Sequence, residues 1–132
     1  MLIKTSVLTG LSLDFAVALA NGKRPEFNMQ SHGRTWSGIW LTVDEYTRCP
    51  DFSNDWVQGG LIIEREGLTV GRQVHKTEWS AEAFDGSGMS MTFLRFGPTP
   101  LIAAMRCYVA SKLGDKVYIP DELLVIESKS LL

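Results

Sequence analysis

The sequence contains only two cysteines and two histidines, which restricts the metal and redox chemistry open to it. Cys49 and Cys107 form no metal-ligand motif, and two cysteines give no disulfide framework. His32 and His75 have no cysteine or histidine partner at metal-ligand spacing, and neither lies in a recognisable nucleophile motif. We therefore predict no metal and no cofactor, and we interpret both histidines as surface or loop residues.

The chain also lacks long apolar runs and a strong charge of either sign. No apolar run reaches the roughly 18 residues that a membrane span needs, and no signal peptide precedes Thr9. A formal net charge of -2 gives no bulk attraction to nucleic acid or acidic membranes. The hydrophobic fraction of 45% is that of an ordinary globular protein. We expect a single domain over residues 1–132, located in the cytoplasm, with no membrane association.

The clearest predicted element is a helix over about residues 100–113. Thr99 is a good N-cap, and Pro100 suits the first helical position because the amide it lacks would be unpaired there. Apolar residues then recur at three- and four-residue steps, which is the spacing of a helix face. Gly114 ends the helix, and Lys112 in the last turn complements the negative end of the helix dipole.

A second main helix is predicted over about residues 10–20, with Thr9 as its cap and Gly22 near its end. Residues 23–34 are polar and contain proline and glycine, so we interpret them as a loop. Residues 46–60 contain Pro50 and the pair Gly59–Gly60, so we interpret them as a long irregular segment that could include a short helical turn from Ser53. Residues 61–66 could be helical or extended, and we favour a short helix that ends before Gly67.

Alternating apolar and polar residues predict strands elsewhere in the chain. These segments are residues 2–8, 36–43, 68–75, 78–83, 90–96 and 117–119. Since strands and helices do not alternate regularly, the pattern predicts an α+β fold. We expect a small antiparallel sheet of three to five strands packed with the two main helices.

Charged residues inside the two predicted helices are the first candidates for function. Asp14 and Arg106 each lie among apolar residues, where an unpaired charge is costly. One hypothesis is that the two helices pack together and the two residues form an ion pair. The other is that Arg106 binds a phosphate or carboxylate through two parallel hydrogen bonds.

The four tryptophans are the second signal. Trp56 lies in a polar segment close to Arg48 and Asp55, where its ring can stack on a planar ligand while the charges orient it. The alternative interpretation is that the aromatic rings fill a small core. The candidate ligand-binding or partner-binding residues are Tyr46, Arg48, Asp55, Trp56, Trp79 and Arg106.

Carboxylates crowd the same region and suggest a different function. Asp44, Glu45, Asp51 and Asp55 could gather a divalent cation or serve as an acid–base pair in a small enzyme that acts on a nucleotide or a sugar. Asp51 and Asp55 are equally explained as turn and helix-start residues. No phosphate-binding loop and no nucleophile elbow is present, so we assign no catalytic residues.

Four segments of the chain resemble the NinX-like family of small tailed-phage proteins, a domain of unknown function. They are residues 8–18, 51–67, 79–81 and 97–124, in the family's order. Leu61 departs from the pattern, since the family often has proline there. The resemblance implies a phage or prophage accessory protein made in the bacterial cytoplasm, and it carries over no catalytic residue.

These observations favour a protein that acts by binding rather than by catalysis. The partner would be either a host protein that it inhibits, such as a defence protein, or a nucleotide-like small molecule that it sequesters. A nucleic-acid-associated phage factor is a third hypothesis, but the sequence has no basic stripe, helix-turn-helix pattern or zinc site to support it. The oligomeric state stays open, and a homo-oligomer is one option.

Overall fold

A computed structural model describes residues 1–32, 36–42, 50–73, 77–84 and 91–124. The described elements, in chain order, are β1 (Leu2–Lys4), a 3₁₀ turn (Thr5–Val7), α1 (Gly10–Ala20), β2 (Glu26–His32), β3 (Trp36–Thr42), α2 (Trp56–Glu66), β4 (Thr69–Arg72), β5 (Trp79–Phe84), β6 (Met91–Gly97), α3 (Pro100–Leu113) and β7 (Lys116–Tyr118). The α+β class is confirmed, and α1 and α3 have the predicted bounds. Among the described helices, none combines the length and apolarity needed to cross a membrane.

Helix α3 lies at the centre of the fold. Its residues from Leu101 to Ala110 are buried, except for Arg106, which is partly exposed. The antiparallel sheet β4–β5–β6 packs against it, and so do α1 and α2. Small side chains at Ala81 and Ala103 allow a close approach between helix and sheet, because alanine adds only one methyl group. The sequence predicts one apolar stripe on α3, whereas neighbouring elements enclose the helix.

Strand β6 turns directly into α3 at Gly97. A side chain there has no room, because a Cβ atom on Gly97 would lie 2.7 Å from the backbone nitrogen of Ala103. The side chain of Thr99 accepts a hydrogen bond from the backbone N–H of Ile102 at 3.1 Å and so caps α3 as predicted. The tight turn fixes the end of β6 against the start of α3.

Helix α2 is longer than predicted, because it begins at Trp56 rather than at residue 61. The side chain of Asp55 caps it by accepting a hydrogen bond from the N–H of Val57 at 2.9 Å. The glycine pair at 59–60 suggested irregular backbone, but it lies inside the helix. A Cβ atom on Gly59 would overlap the carbonyl oxygen of Phe52, so glycine is required there for close packing.

The predicted loop at residues 23–34 is wrong, since most of it forms β2. This strand pairs with β3 in an antiparallel hairpin whose register runs from Glu26 opposite Thr42 to His32 opposite Trp36. Polar composition indicated a loop, but pairing with the following strand bonds the amide and carbonyl groups on the edge of the segment that faces β3.

Strands β1 and β7 form a separate two-stranded ribbon. Leu2, Ile3 and Lys4 pair antiparallel with Tyr118, Val117 and Lys116. After β1, the backbone N–H of Thr5 donates to the carbonyl oxygen of Asp115 at 2.8 Å, and the Thr5 hydroxyl donates to the same oxygen at 3.2 Å. The ribbon brings residues from the two ends of the described chain to one edge of the fold.

Candidate functional site

A groove of about 1000 Å³ opens between the β1–β7 ribbon and the end of β6. Its lining comes from five parts of the chain: Lys4–Ser6, Thr77 and Glu78, Leu94–Pro98, Arg106, and Asp115 with Lys116. The charged members are four cationic side chains and two carboxylates, namely Lys4, Arg95, Arg106, Lys116, Glu78 and Asp115. We call this site the basic groove. Its lining carries an excess of positive charge although the whole chain has a formal net charge of -2.

Two of the four cations face each other across the β1–β7 ribbon. Lys4 and Lys116 are register partners, and both residues are exposed. Side chains at opposed positions leave the same face of the ribbon, with Cβ atoms about 5 Å apart. Like charges in this arrangement disfavour the pairing of the strands. The ribbon therefore concentrates positive charge at the groove against its own stability.

Arg106 reaches the groove from the centre of α3. Its Nε donates to the carbonyl oxygen of Leu8 at 2.7 Å, and its Nη1 donates to that of Phe96 at 2.8 Å. Within the described part of the chain, Nη2 makes no hydrogen bond. Burial lowers the pKa of the Arg106 guanidinium, and the nearby Glu78 carboxylate partly opposes this shift. The guanidinium keeps its charge at neutral pH, because arginine is not deprotonated in proteins.

The predicted ion pair between Asp14 and Arg106 is wrong. Arg106 uses two backbone carbonyls as partners instead, while Oδ1 of Asp14 accepts a hydrogen bond from the backbone N–H of Ser53 at 2.9 Å. Asp14 is buried against the turn that precedes α2. The two charged residues therefore have different hydrogen-bond partners.

Arg95 is a groove residue that sequence reasoning missed. Its Nη1 donates to the carbonyl oxygen of Leu94 at 2.8 Å, and its Nη2 lies 2.7 Å from Oδ1 of Asp115. The Nε atom is buried and has no hydrogen-bond partner among the residues that the structure describes. An arginine in a strand interior gives no signal by itself, because half of a strand's residues face solvent in an ordinary sheet.

One of the candidate residues from the sequence lines the basic groove, and a second pairs with a lining residue. Arg106 lines the basic groove, as described. Trp79 is partly buried against the hydrophobic core and pairs in register with Gly97, a lining residue. Trp79 itself does not line the groove. Tyr46 and Arg48 lie outside the described residues.

Asp55 and Trp56 lie elsewhere, at the start of α2. The Asp55 carboxylate is engaged in capping the helix and also accepts from Nε2 of Gln58 at 3.1 Å. Trp56 is 57% exposed, and Val57 and Leu61 beside it are more exposed still. We call these three side chains the α2 face. It is an exposed apolar surface, separate from the residues that line the basic groove.

A cation-binding role for acidic side chains has no support in the described residues. No group of three or more histidine, cysteine, aspartate or glutamate side chains in that part of the chain gathers closely enough to hold a metal ion. Asp44 and Glu45 fall outside it. Asp51 accepts a 3.2 Å hydrogen bond from Nδ2 of Asn54 in the turn before α2.

Comparison with known proteins gives one result that bears on this geometry. The family model described as bacteriophage P22, NinX matches residues 4–112. No curated protein matches the chain. The matched range includes Lys4, Arg95 and Arg106 of the basic groove and ends before Asp115 and Lys116.

Proposed function

Since the chain belongs to the NinX family of bacteriophage P22, we propose that this phage protein acts by binding a small, anionic, nucleotide-like molecule in the basic groove. The opposed pair Lys4 and Lys116 carries the proposal. Two like charges held together against the stability of the ribbon are explained by a ligand of opposite charge.

The two arginines strengthen this interpretation. Arg106 is fixed by two backbone carbonyls, so a ligand that contacts its remaining Nη2 atom meets a guanidinium that is already oriented. The volume of about 1000 Å³ is at the upper end of small-molecule sites, which run from roughly 300 to 1000 Å³. The groove has room for a nucleotide, and its cations match phosphate groups.

Isothermal titration calorimetry with AMP and ADP tests the proposal. Lys4→Gln and Lys116→Gln should each weaken binding about fivefold, because each removes roughly 1 kcal/mol of charge attraction. Lys23→Gln is the matched control, since it removes one positive charge outside the basic groove. An equal loss in the control would show that bulk charge alone attracts the nucleotide. No binding of either nucleotide to the wild type would contradict the proposal.

A protein partner is the second candidate function, and the α2 face supports it. Trp56, Val57 and Leu61 are each more than half exposed, and tryptophan is enriched among residues that dominate protein interfaces. We expect Trp56→Ala to abolish capture of a host protein from bacterial lysate while Lys116→Gln retains it. Capture that survives Trp56→Ala would argue against the α2 face as the interface.

A further inference from the structure

One cationic side chain of the basic groove, Arg95, already forms an ion pair with a carboxylate of the protein, that of Asp115. Nη2 of Arg95 and Oδ1 of Asp115 are 2.7 Å apart, whereas the other ion pairs among the described residues are 3.3 to 3.6 Å long. The Asp115 carboxylate belongs to the groove lining and stands where an anionic group of a ligand would bind. Its oxygen atom is a chemical stand-in for a phosphate oxygen.

The contact uses only part of the guanidinium. Nε and Nη2 form the edge of arginine that binds two oxygen atoms of one oxyanion through parallel hydrogen bonds. Asp115 engages Nη2 with one oxygen, while Nε is buried and has no partner within the described part of the chain. A buried donor without an acceptor is unfavourable, so Arg95 retains unused binding capacity.

Asp115 can leave this position without disturbing its backbone. The carbonyl oxygen of Asp115 is held by the N–H and the hydroxyl of Thr5, independently of the side chain. The Asp115 side chain is 83% exposed, so rotation away from Arg95 places the carboxylate in water. The cost of that rotation is small, since an exposed ion pair adds little stability.

We infer that Asp115 is a resident competitor of the ligand, and that a phosphate group binds Nε and Nη2 of Arg95 by displacing the Asp115 carboxylate. The inference rests on the proposed function and specifies its ligand class. A phosphate group suits the site better than a single carboxylate, because it brings three oxygens and up to two negative charges to four cations. Asp115 then sets the affinity of the groove for phosphate.

Calorimetry with inorganic pyrophosphate measures this effect. Asp115→Asn keeps the size of the side chain and the backbone contacts with Thr5 but removes the competing charge. We expect it to bind pyrophosphate up to about fivefold more tightly than the wild type, because an exposed ion pair contributes at most about 1 kcal/mol. Glu78→Gln is the matched control, because it removes the other carboxylate of the groove, which has no ion pair with Arg95. The affinity of Glu78→Gln for pyrophosphate should exceed that of the wild type by about twofold at most.

A second measurement reports on Arg95 directly. The NMR signal of its Nε–H, assigned by its loss in a folded Arg95→Lys variant, should move downfield when pyrophosphate is added. Arg95→Lys should also bind pyrophosphate about tenfold more weakly, since lysine offers no paired donors.

The outcomes separate the inference from the proposed function. If the wild type binds pyrophosphate and Asp115→Asn gains no more than Glu78→Gln, the inference is wrong and the proposed function stands. The inference is also wrong if the wild type binds pyrophosphate but the NMR signal of the Arg95 Nε–H does not move. If neither the wild type nor Asp115→Asn binds pyrophosphate or nucleotide, both fail. Binding that appears only in Asp115→Asn supports the competitor role.

Discussion

The hydroxyl of Tyr108 donates a 2.7 Å hydrogen bond to Oδ1 of Asn21, where α3 meets the C-terminal end of α1. Arg65 of α2 joins the same point, because its Nη2 donates to both oxygens, at 3.0 Å to the hydroxyl and 3.1 Å to Asn21. The Arg65 guanidinium also lies 5.5 Å from the centre of the Tyr108 ring. Three side chains therefore link the three helices.

Removal of this hydroxyl should destabilise the protein. We expect Tyr108→Phe to lower the free energy of unfolding by about 1 to 2 kcal/mol, because it removes the hydrogen bonds that the partly buried hydroxyl makes with Asn21 and Arg65. Tyr118→Phe is the control, since Tyr118 is 61% exposed and should change stability by less than about 0.5 kcal/mol. Urea denaturation of both variants gives the comparison. Equal effects would show that the helix link contributes nothing.

The two glycines of α2 should respond in opposite directions to alanine. Gly59→Ala places a Cβ atom 2.7 Å from Cδ2 of Leu101 and closer still to the Phe52 carbonyl. We therefore expect the free energy of unfolding to fall by about 1 to 3 kcal/mol. Gly60→Ala meets only Cε3 of Trp56, at an ordinary 3.6 Å. The free energy of unfolding of Gly60→Ala should rise by about 0.5 to 1 kcal/mol, because alanine has a higher helix propensity than glycine. Thermal melts test both, and a stabilised Gly59→Ala would refute the packing argument.

Stability in alkaline solution should depend on Cys107. Burial raises the pKa of its thiol from 9.0 to about 11, so above pH 9 the unfolded chain loses a proton that the folded protein keeps. The contribution of the protonated Cys107 thiol to the free energy of unfolding is therefore fully present below pH 9 and is lost as the pH rises towards 11. A two-unit shift corresponds to about 3 kcal/mol.

Cys107→Ala isolates this contribution. Urea denaturation at pH 8 and pH 10.5 should show a smaller loss of stability in the variant than in the wild type. Burial also raises the pKa of Tyr108, but that residue is common to both proteins. Identical losses in the two proteins would contradict the assignment to Cys107.

Neutralisation of the opposed lysines should stabilise the ligand-free protein. Lys116→Gln removes the repulsion with Lys4, and we expect the free energy of unfolding to rise by about 0.5 kcal/mol in low salt. At 1 M salt the gain should vanish, because the Debye length is then only about 3 Å. The same variant is expected to bind nucleotide more weakly. A destabilised Lys116→Gln at low salt would count against the repulsion.

The helices show how far local sequence determines this fold. For α3, the cap at Thr99 and the stop at Gly114 are local signals, and both boundaries were predicted correctly. For α2, the glycines near its start carry low helix propensity, which hid a requirement for close packing against Phe52 and Leu101. Strand β2 was missed for a related reason, since its stability comes from pairing with β3.

The basic groove was only partly predictable. Arg106 stood out because it interrupts an apolar helix, and it does line the groove. Lys4 and Lys116 gave no signal, because a lysine in a short exposed strand is unremarkable until the pairing partner is known. That partner lies at the other end of the described chain. Asp115 gave no signal in the sequence for the same reason.

The β1–β7 ribbon also has a consequence for the order of folding. Thr5 and Asp115 are separated by 110 residues, so the contact between them closes a loop that contains most of the chain. Contacts this distant form late, because the entropy lost on closing the loop is recovered only after the intervening elements have packed. A chain still emerging from the ribosome has no basic groove until residue 116 is available. Anion binding would therefore report that synthesis and folding have both passed that point.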